Sequence, residues 1–255
     1  MKLTRYSVAV LFVSMIANVS FARAATCSNA SIKGTYGIVS SGLNGSLQPA
    51  ASVDQIMADG NGNISGTSTK SIDGTIVTYA ITGTYSIAAN CNGSAVFNNQ
   101  DNETEHDNIY LNELGAGGVY NGGFLVQTDS EHVQSSIAVA QGAATCTDAG
   151  VKHPYSFEAA GLTTSSGQVA TGGRLILNGS GSITGTETIS LNGTIHSAVT
   201  VTGTYTINSD CTGTASITPK GLSTSNFSLV VVNGGKEIMA VETDADTVIT
   251  GTFQE

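Results

Sequence analysis

Apolar and polar residues alternate along this chain with a period of two, not with the 3.6-residue period of a helix. In "TIHSAVTVTGTYTIN", Ile195, Val199, Val201, Tyr205 and Ile207 fall on one face, with Ser197 and Gly203 between them. His196, Ala198, Thr200, Thr202, Thr204 and Thr206 fall on the other. Apolar residues inside and threonines outside predict an antiparallel strand with one face in water. The run is long enough to bend, and Gly203, like Gly83, is the expected place of a kink or bulge. Hairpin signals punctuate the alternation: Asn-Gly starts at Asn44, Asn61, Asn92, Asn121, Asn178, Asn192 and Asn233, and Asp-Gly at Asp59 and Asp73.

The pattern is written twice. A shift of 119 lays Cys146 on Cys27, Lys152 on Lys33, Tyr155 on Tyr36 and Gly161 on Gly42, and "NGSGSITGT" from Asn178 on "DGNGNISGT" from Asp59. Further on the shift becomes 120, matching Tyr205 to Tyr85 and Cys211 to Cys91, and "ETDA" at Glu242 faces "QTDS" at Gln127. About eight short strands fit into each copy, and neither copy contains a helical pattern. The expected fold is all-β: two tandem antiparallel up-and-down β-barrels of about eight strands each, at residues 25–141 and 142–255. A pair of β-sandwiches is the alternative. Each copy carries one pair of cysteines at nearly equal spacing, so Cys27–Cys91 and Cys146–Cys211 are the natural pairs among three connectivities.

The first residues change the setting. Lys2 and Arg5 precede an apolar run, and Ala22-Arg23-Ala24 has the small-x-small form of a cleavage site, so residues 1–24 read as a secretory signal peptide. The expected location is secreted or periplasmic. Lipid anchoring at Cys27 is the lesser alternative, because Ala24-Ala25-Thr26 lacks the upstream Leu and small preceding residue of that signal. Without Lys2, Arg5 and Arg23, six basic residues face nineteen acidic ones. That balance repels phosphate backbones and anionic lipid, so nucleic acid is not an expected partner. No later stretch has the ~18 apolar residues of a spanning helix. An outer-membrane barrel is disfavoured by Thr-rich outer faces and missing aromatic girdles.

The motifs C…GTYG (Cys27, Gly34 to Gly37), DGxGNxSGTxT (Asp59 to Thr69) and GTYxxxxxCxG (Gly83 to Gly93) resemble those of a group of uncharacterised secreted bacterial β-rich proteins. The resemblance covers nearly the whole chain after the signal, twice, and implies export without implying an activity. "ADGNGNISGT" and "AITGTY" are similar in shape to hairpins of calycin barrels (avidin and lipocalin) and of the allene oxide cyclase-like barrel. The chain has no Trp to line a biotin pocket, so this resemblance implies a barrel and nothing about a ligand.

Candidate chemistry is sparse. Asp59, Asn61 and Asn63 resemble the start of a calcium loop, but Ile64 and Lys70 stand where that loop needs Gly and Glu, and a hairpin turn explains the motif. "DNETEH" from Asp101 to His106, followed by Asp107, gathers carboxylates and an imidazole, with His132 beside Glu131 as a further donor if the barrel brings both loops to one rim. The second copy lacks these residues, so the segment reads as an acidic solvated loop; no metal site and no cofactor is expected. In the second copy, strand alternation turns His153, Tyr155 and Glu187 inward beside Tyr205. Gly34 and Ser68 stand at the places of His153 and Glu187 in the first copy. An imidazole and a carboxylate in a lumen can orient a ligand or exchange a proton; they can also satisfy one another. His153, Tyr155, Glu187, Tyr205, Tyr36 and Tyr85 are therefore the candidate ligand-binding residues. His196 reads as an outward strand residue. GxSxG, HExxH and P-loop signatures are absent.

Three readings follow. The first is a secreted, non-enzymatic double barrel that binds a small apolar or aromatic ligand. The second is a structural or adhesive cell-surface module that meets a glycan or a protein. The third is a cyclase- or isomerase-like barrel enzyme that depends on His153 and Glu187.

Overall fold

The computed structural model describes residues 26–99, 104–112, 119–143 and 145–255. The predicted signal peptide and the Asp101–Glu103 part of the acidic segment lie outside the described residues. Eight strands form the first sheet: β1 (Gly34–Leu43), β2 (Pro49–Ala58), β3 (Asn63–Ile72), β4 (Thr75–Ile87), β5 (Asn92–Asn98), β6 (Thr104–Leu111), β7 (Gly122–Gln127) and β8 (Val133–Ala140). Eight more form the second: β9 (Pro154–Thr163), β10 (Gly167–Leu177), β11 (Ser182–Leu191), β12 (Thr194–Ile207), β13 (Thr212–Pro219), β14 (Ser225–Val232), β15 (Glu237–Glu242) and β16 (Thr247–Gln254). Each sheet runs up and down with antiparallel neighbours and closes, β1 on β8 and β9 on β16, so the fold is two barrels and not two sandwiches.

Turn chemistry sets the register. At Asp73-Gly74 and Asn192-Gly193 both central residues have positive φ, as a type I′ hairpin turn requires. Asn92-Gly93 instead begins a strand, and the tight turn before it falls on Cys91, which takes the left-handed conformation (φ 67°). The Asp59 carboxylate accepts from Asn61 N, Asn63 N and Asn63 Nδ2, and Asn178 Oδ1 accepts from Ser180 N and Ser182 N. These carboxylate and amide oxygens hold turns.

The change of repeat shift from 119 to 120 has a structural meaning. Glu187 pairs with Val199 but Ile189 pairs with His196, so β12 carries one extra residue, a bulge with Ala198 at φ 54°. The bulge does not fall at Gly203, around which pairing is continuous. Gly203 and Gly83 are sites of close approach: a Cβ there would lie 2.4 Å from Ser216 O and 2.1 Å from Val96 O, respectively. An inserted residue reverses side-chain parity. Ile195, expected inside, is therefore 57% exposed, and His196 turns to the side of buried Ile189.

One end of each barrel is closed by a 3-10 turn and a disulfide. Cys27–Cys91 and Cys146–Cys211 are bonded, with Cα atoms 5.1 and 4.7 Å apart. Cys27 thus has no free thiol for lipidation, and two such bonds fit an oxidising compartment. No described helix is long and apolar enough to cross a membrane.

The barrels meet through outer faces. Ala51 and Val53 of β2, with Val39 and Val139 beside them, pack on Val230 and Val232 of β14 and on Met239, Val241 and Val248. At about 1.5–3 kcal/mol for each fully buried Val or Met, this seam fixes the pair firmly. Backbone bonds from Gly234 N to Gln141 O (2.7 Å) and from Asp246 N to Gly74 O (2.9 Å) pin its ends. The contact is heterologous, joining different faces of the two copies. The counterpart of the β14–β15 face in the first barrel, carrying Tyr110, Phe124 and Val126 with Ile137 beside them, remains exposed.

Gly37 is needed at the seam for space, since its φ lies outside the left-handed region. A Cβ there would sit 2.5 Å from Val232 Cγ1 and 2.9 Å from Val230 Cγ1. Gly37→Leu is expected to lower unfolding stability by about 1–3 kcal/mol through overpacking, while Ser156→Leu at the exposed counterpart position changes it little. Equal effects of the two substitutions in denaturant titrations would contradict this account of the seam.

Candidate functional site

The two lumens are built on the same register from different residues. In the second barrel Phe157, Phe227 and Phe253 point inward and pack with Leu175, Ile217 and Ile249 into one apolar cluster. Phe157 and Phe253 are cross-strand neighbours with ring centroids 4.8 Å apart. The register places Ile38, Asp107 and Ala138 at the three corresponding positions of the first barrel. Ala138 removes most of an aromatic side chain, Ile38 replaces a ring by a smaller aliphatic group, and Asp107 puts a carboxylate in place of the third ring.

A cavity of about 540 Å3 lies in the half of the first barrel away from the disulfide, and these replacements contribute to it. Ile56, Ile64 and Ile109 form an apolar floor beneath it. Its walls are polar. Asp54 on β2 accepts from Ser68 Oγ and, at 3.2 Å, from Ser52 Oγ. Lys70 Nζ lies 3.4 Å from Glu105 Oε2. Asp107, 4% exposed, faces Gln127 across the β6–β7 ladder. Tyr79 and Phe97 contribute aromatic surface, and Asn44, Gly45 and His132 stand at the mouth.

Burial dominates the electrostatics. It pushes the Asp54 carboxyl up to about 6, with Glu105 adding repulsion against the hydrogen bond from Ser68. It pushes Asp107 up to about 7, helped by the charges of Glu105, Asp129 and Asp54. Burial works against the charge of Lys70, but Glu105, Tyr79 and Asp54 outweigh it and its pKa is raised. Among the described residues three buried amide atoms have no hydrogen-bond partner: Gln141 Nε2, away from the cavity, and Gln127 Oε1 and Gln134 Nε2, on side chains only 8% and 5% exposed. Gln127 and Gln134 both line the cavity. Among the described residues, no three His, Cys, Asp or Glu side chains are grouped to hold a metal ion.

No family model matches the chain, and no curated protein matches it either. Among solved structures it is similar to the isotype 1 transferrin binding protein B of serogroup B Neisseria meningitidis, at 9% identity and a TM-score of 0.34, over 88% of this chain and 75% of that one. It is also similar to kievitone hydratase from Nectria haematococca, at 11% identity and a TM-score of 0.27, over 88% of each chain. Likenesses this low say nothing of what the chain does.

The residues expected to bind a ligand lie elsewhere. Tyr85 Oη donates to Asn29 O and accepts from Gly60 N, and Tyr205 Oη does the same with Asp148 O and Gly179 N. Tyr36 Oη donates to Tyr120 O and Tyr155 Oη to Gly235 O. All four tyrosines secure the closed ends of the barrels and take no part in the cavity. Glu187 is inward and buried, with Thr171 Oγ1 donating to it at 2.9 Å. His153 precedes β9, so strand alternation does not govern it; it sits half-exposed at the rim, 3.2 Å from Glu255 Oε1. His153 and Glu187 therefore neither meet nor satisfy one another.

The acidic segment also departs from its expected loop. From Thr104 it is strand β6, and alternation sends Glu105 and Asp107 to the cavity and His106 outward. His106 Nδ1 pairs with Asp129 Oδ1 at 2.7 Å, while His132 Nδ1 rests 3.1 Å from Ser130 O. Asp54 and Gln134 escaped sequence reasoning, and Lys70 and Gln127 entered it only as a departure from a calcium loop and as a repeat match, not as inward residues. The repeat carries a signal for three of them, since Gly173, Ile189 and Ile249 stand at the places of Asp54, Lys70 and Gln134 in equivalent ladders, whereas Gln127 has the polar Glu242 at its place.

Asp107 yields a signed expectation. Its folded pKa lies above its unfolded value, so the cost of burying it is absent below about pH 4 and grows as pH rises through 7. Asp107→Asn should therefore stabilise the protein by about 2–4 kcal/mol near pH 8, and the gain should shrink towards zero near pH 4. Chemical unfolding at the two pH values checks this; a gain independent of pH would show that the carboxylate is not the cause.

Proposed function

We propose that this chain is an exported, non-enzymatic carrier or receptor whose first barrel binds a small polar molecule and whose second barrel is a filled scaffold. In this reading residues 1–24 are a cleaved signal peptide and residues 25–141 and 142–255 are the two domains. The supporting observation is the contrast between the lumens: a polar cavity in one, and Phe157, Phe227 and Phe253 at the same register in the other. The volume lies in the range of small-molecule sites, and such sites set a few converging polar groups among apolar walls. The polar walls favour a polar ligand over the apolar or aromatic one expected from the sequence. A cyclase-like reading loses its candidates, because His153 and Glu187 are held apart.

Filling the cavity tests the proposal. Protein purified from the periplasm or culture medium should carry an additional mass in its native mass spectrum that disappears on denaturation. The double variant Asp107→Phe with Ala138→Phe, which copies the second barrel, should remain folded and lose that mass. An added mass that survives in the filled variant would place the ligand elsewhere. A bare chain would overturn the proposal in favour of the structural or adhesive reading, for which the exposed Tyr110–Phe124–Ile137 face is the supporting feature.

A further inference from the structure

We propose that the ligand of the first barrel is a small organic ammonium ion that also carries a hydrogen-bond acceptor, an inference that rests on the ligand-binding reading above. Four charged side chains line the cavity, three carboxylates and one ammonium. Lys70 is engaged by Glu105 at 3.4 Å. Asp54 receives two serine hydroxyls, and among the described residues Asp107 makes no ion pair, Lys70 acting on it only from beyond contact. An anion entering this space would meet uncompensated like charge in a weakly screening lumen.

The orphaned amide atoms sharpen the choice. The Nε2 of Gln127 points to Asp129 Oδ2 at 3.4 Å, and its Oε1 is left buried without a donor at the cavity wall. Asp107 is its partner across the ladder, so an amide oxygen and a carboxylate stand together as acceptors. The group that answers both is a positively charged nitrogen with several N–H bonds. Gln134 Nε2 is a buried donor without an acceptor, so the same ligand must offer an oxygen elsewhere. Tyr79 and Phe97 can cover its carbon body, and their ring faces attract a cation.

Binding should be linked to protons. Asp107 shares its surroundings with Asp54, Lys70, Tyr79, Glu105, Asp129 and, at the mouth, His132. With its carboxyl held up near 7 and that of Asp54 near 6, a bound cation lowers both and displaces protons. Acidification should release the ligand.

The test compares probes that differ in charge. Ethanolamine and 5-aminopentan-1-ol are titrated into the mature protein by calorimetry, each against the diol and the hydroxy acid of the same length. Near pH 8 at least one amine should bind about tenfold or more tightly than its diol, and near pH 5 it should bind about tenfold more weakly, with proton release seen by comparing buffers. Asp107→Asn should reduce the preference for amine over diol to within about threefold while the protein stays folded. Equal or tighter binding of the diols or hydroxy acids would overturn the cation assignment, as would failure of both amines to bind. If the native spectrum still shows a mass that the filled variant loses, only the ligand class falls. If no such mass appears either, the ligand-binding reading falls with it.

Discussion

An eight-stranded barrel encloses a lumen that ordinary side chains can just fill, and everything distinctive here depends on that limit. With strand number and, apart from the bulge in β12, register alike in both copies, whether a lumen is solid or hollow is decided by a few inward residues. Phe157 and Phe253 pack ring against ring, where Ile38 and Ala138 leave room. Phe227 adds a third ring at the place of Asp107. Interiors of proteins are packed densely enough that such losses are not absorbed by small shifts of the backbone.

A hollow, polar lumen is costly to keep. Asp54 and Asp107 lose hydration and are pushed towards their neutral forms, and two glutamine side chains at the cavity hold polar atoms that none of the described residues satisfies. Its twin has Phe227 at the place of Asp107, although it too buries carboxylates, at Glu187 and Glu242. The burden falls on a barrel braced at one end by a disulfide and a tyrosine-held turn, and along one side by the apolar seam with its neighbour. The barrel with the filled lumen thus braces the one with the cavity.

Much of the architecture was legible in the sequence because it depends on periodicity. Alternating residues, Asn-Gly and Asp-Gly turns and an internal repeat led to sixteen strands in two barrels, and equal cysteine spacing led to the observed disulfides. The chemistry was harder to read because it depends on parity and on end effects. The additional residue at Ala198 turned Ile195 out, and the start of β9 at Pro154 left His153 at the rim. Glu105 and Asp107 looked like a solvated run, since charged residues alternating in a strand carry no hydrophobic signal. The inward tyrosines were correctly turned but served the barrel ends, which only their hydrogen bonds reveal.

The most direct measurement of the central claim is the electron density inside the two lumens in a high-resolution crystal structure of the mature protein. The account predicts density for a small molecule or ordered water in the first lumen, hydrogen-bonded to Gln127 Oε1 and Gln134 Nε2, and side chains alone around Phe157, Phe227 and Phe253 in the second. A first lumen collapsed onto its own side chains, with both amides satisfied from within the protein, would contradict it.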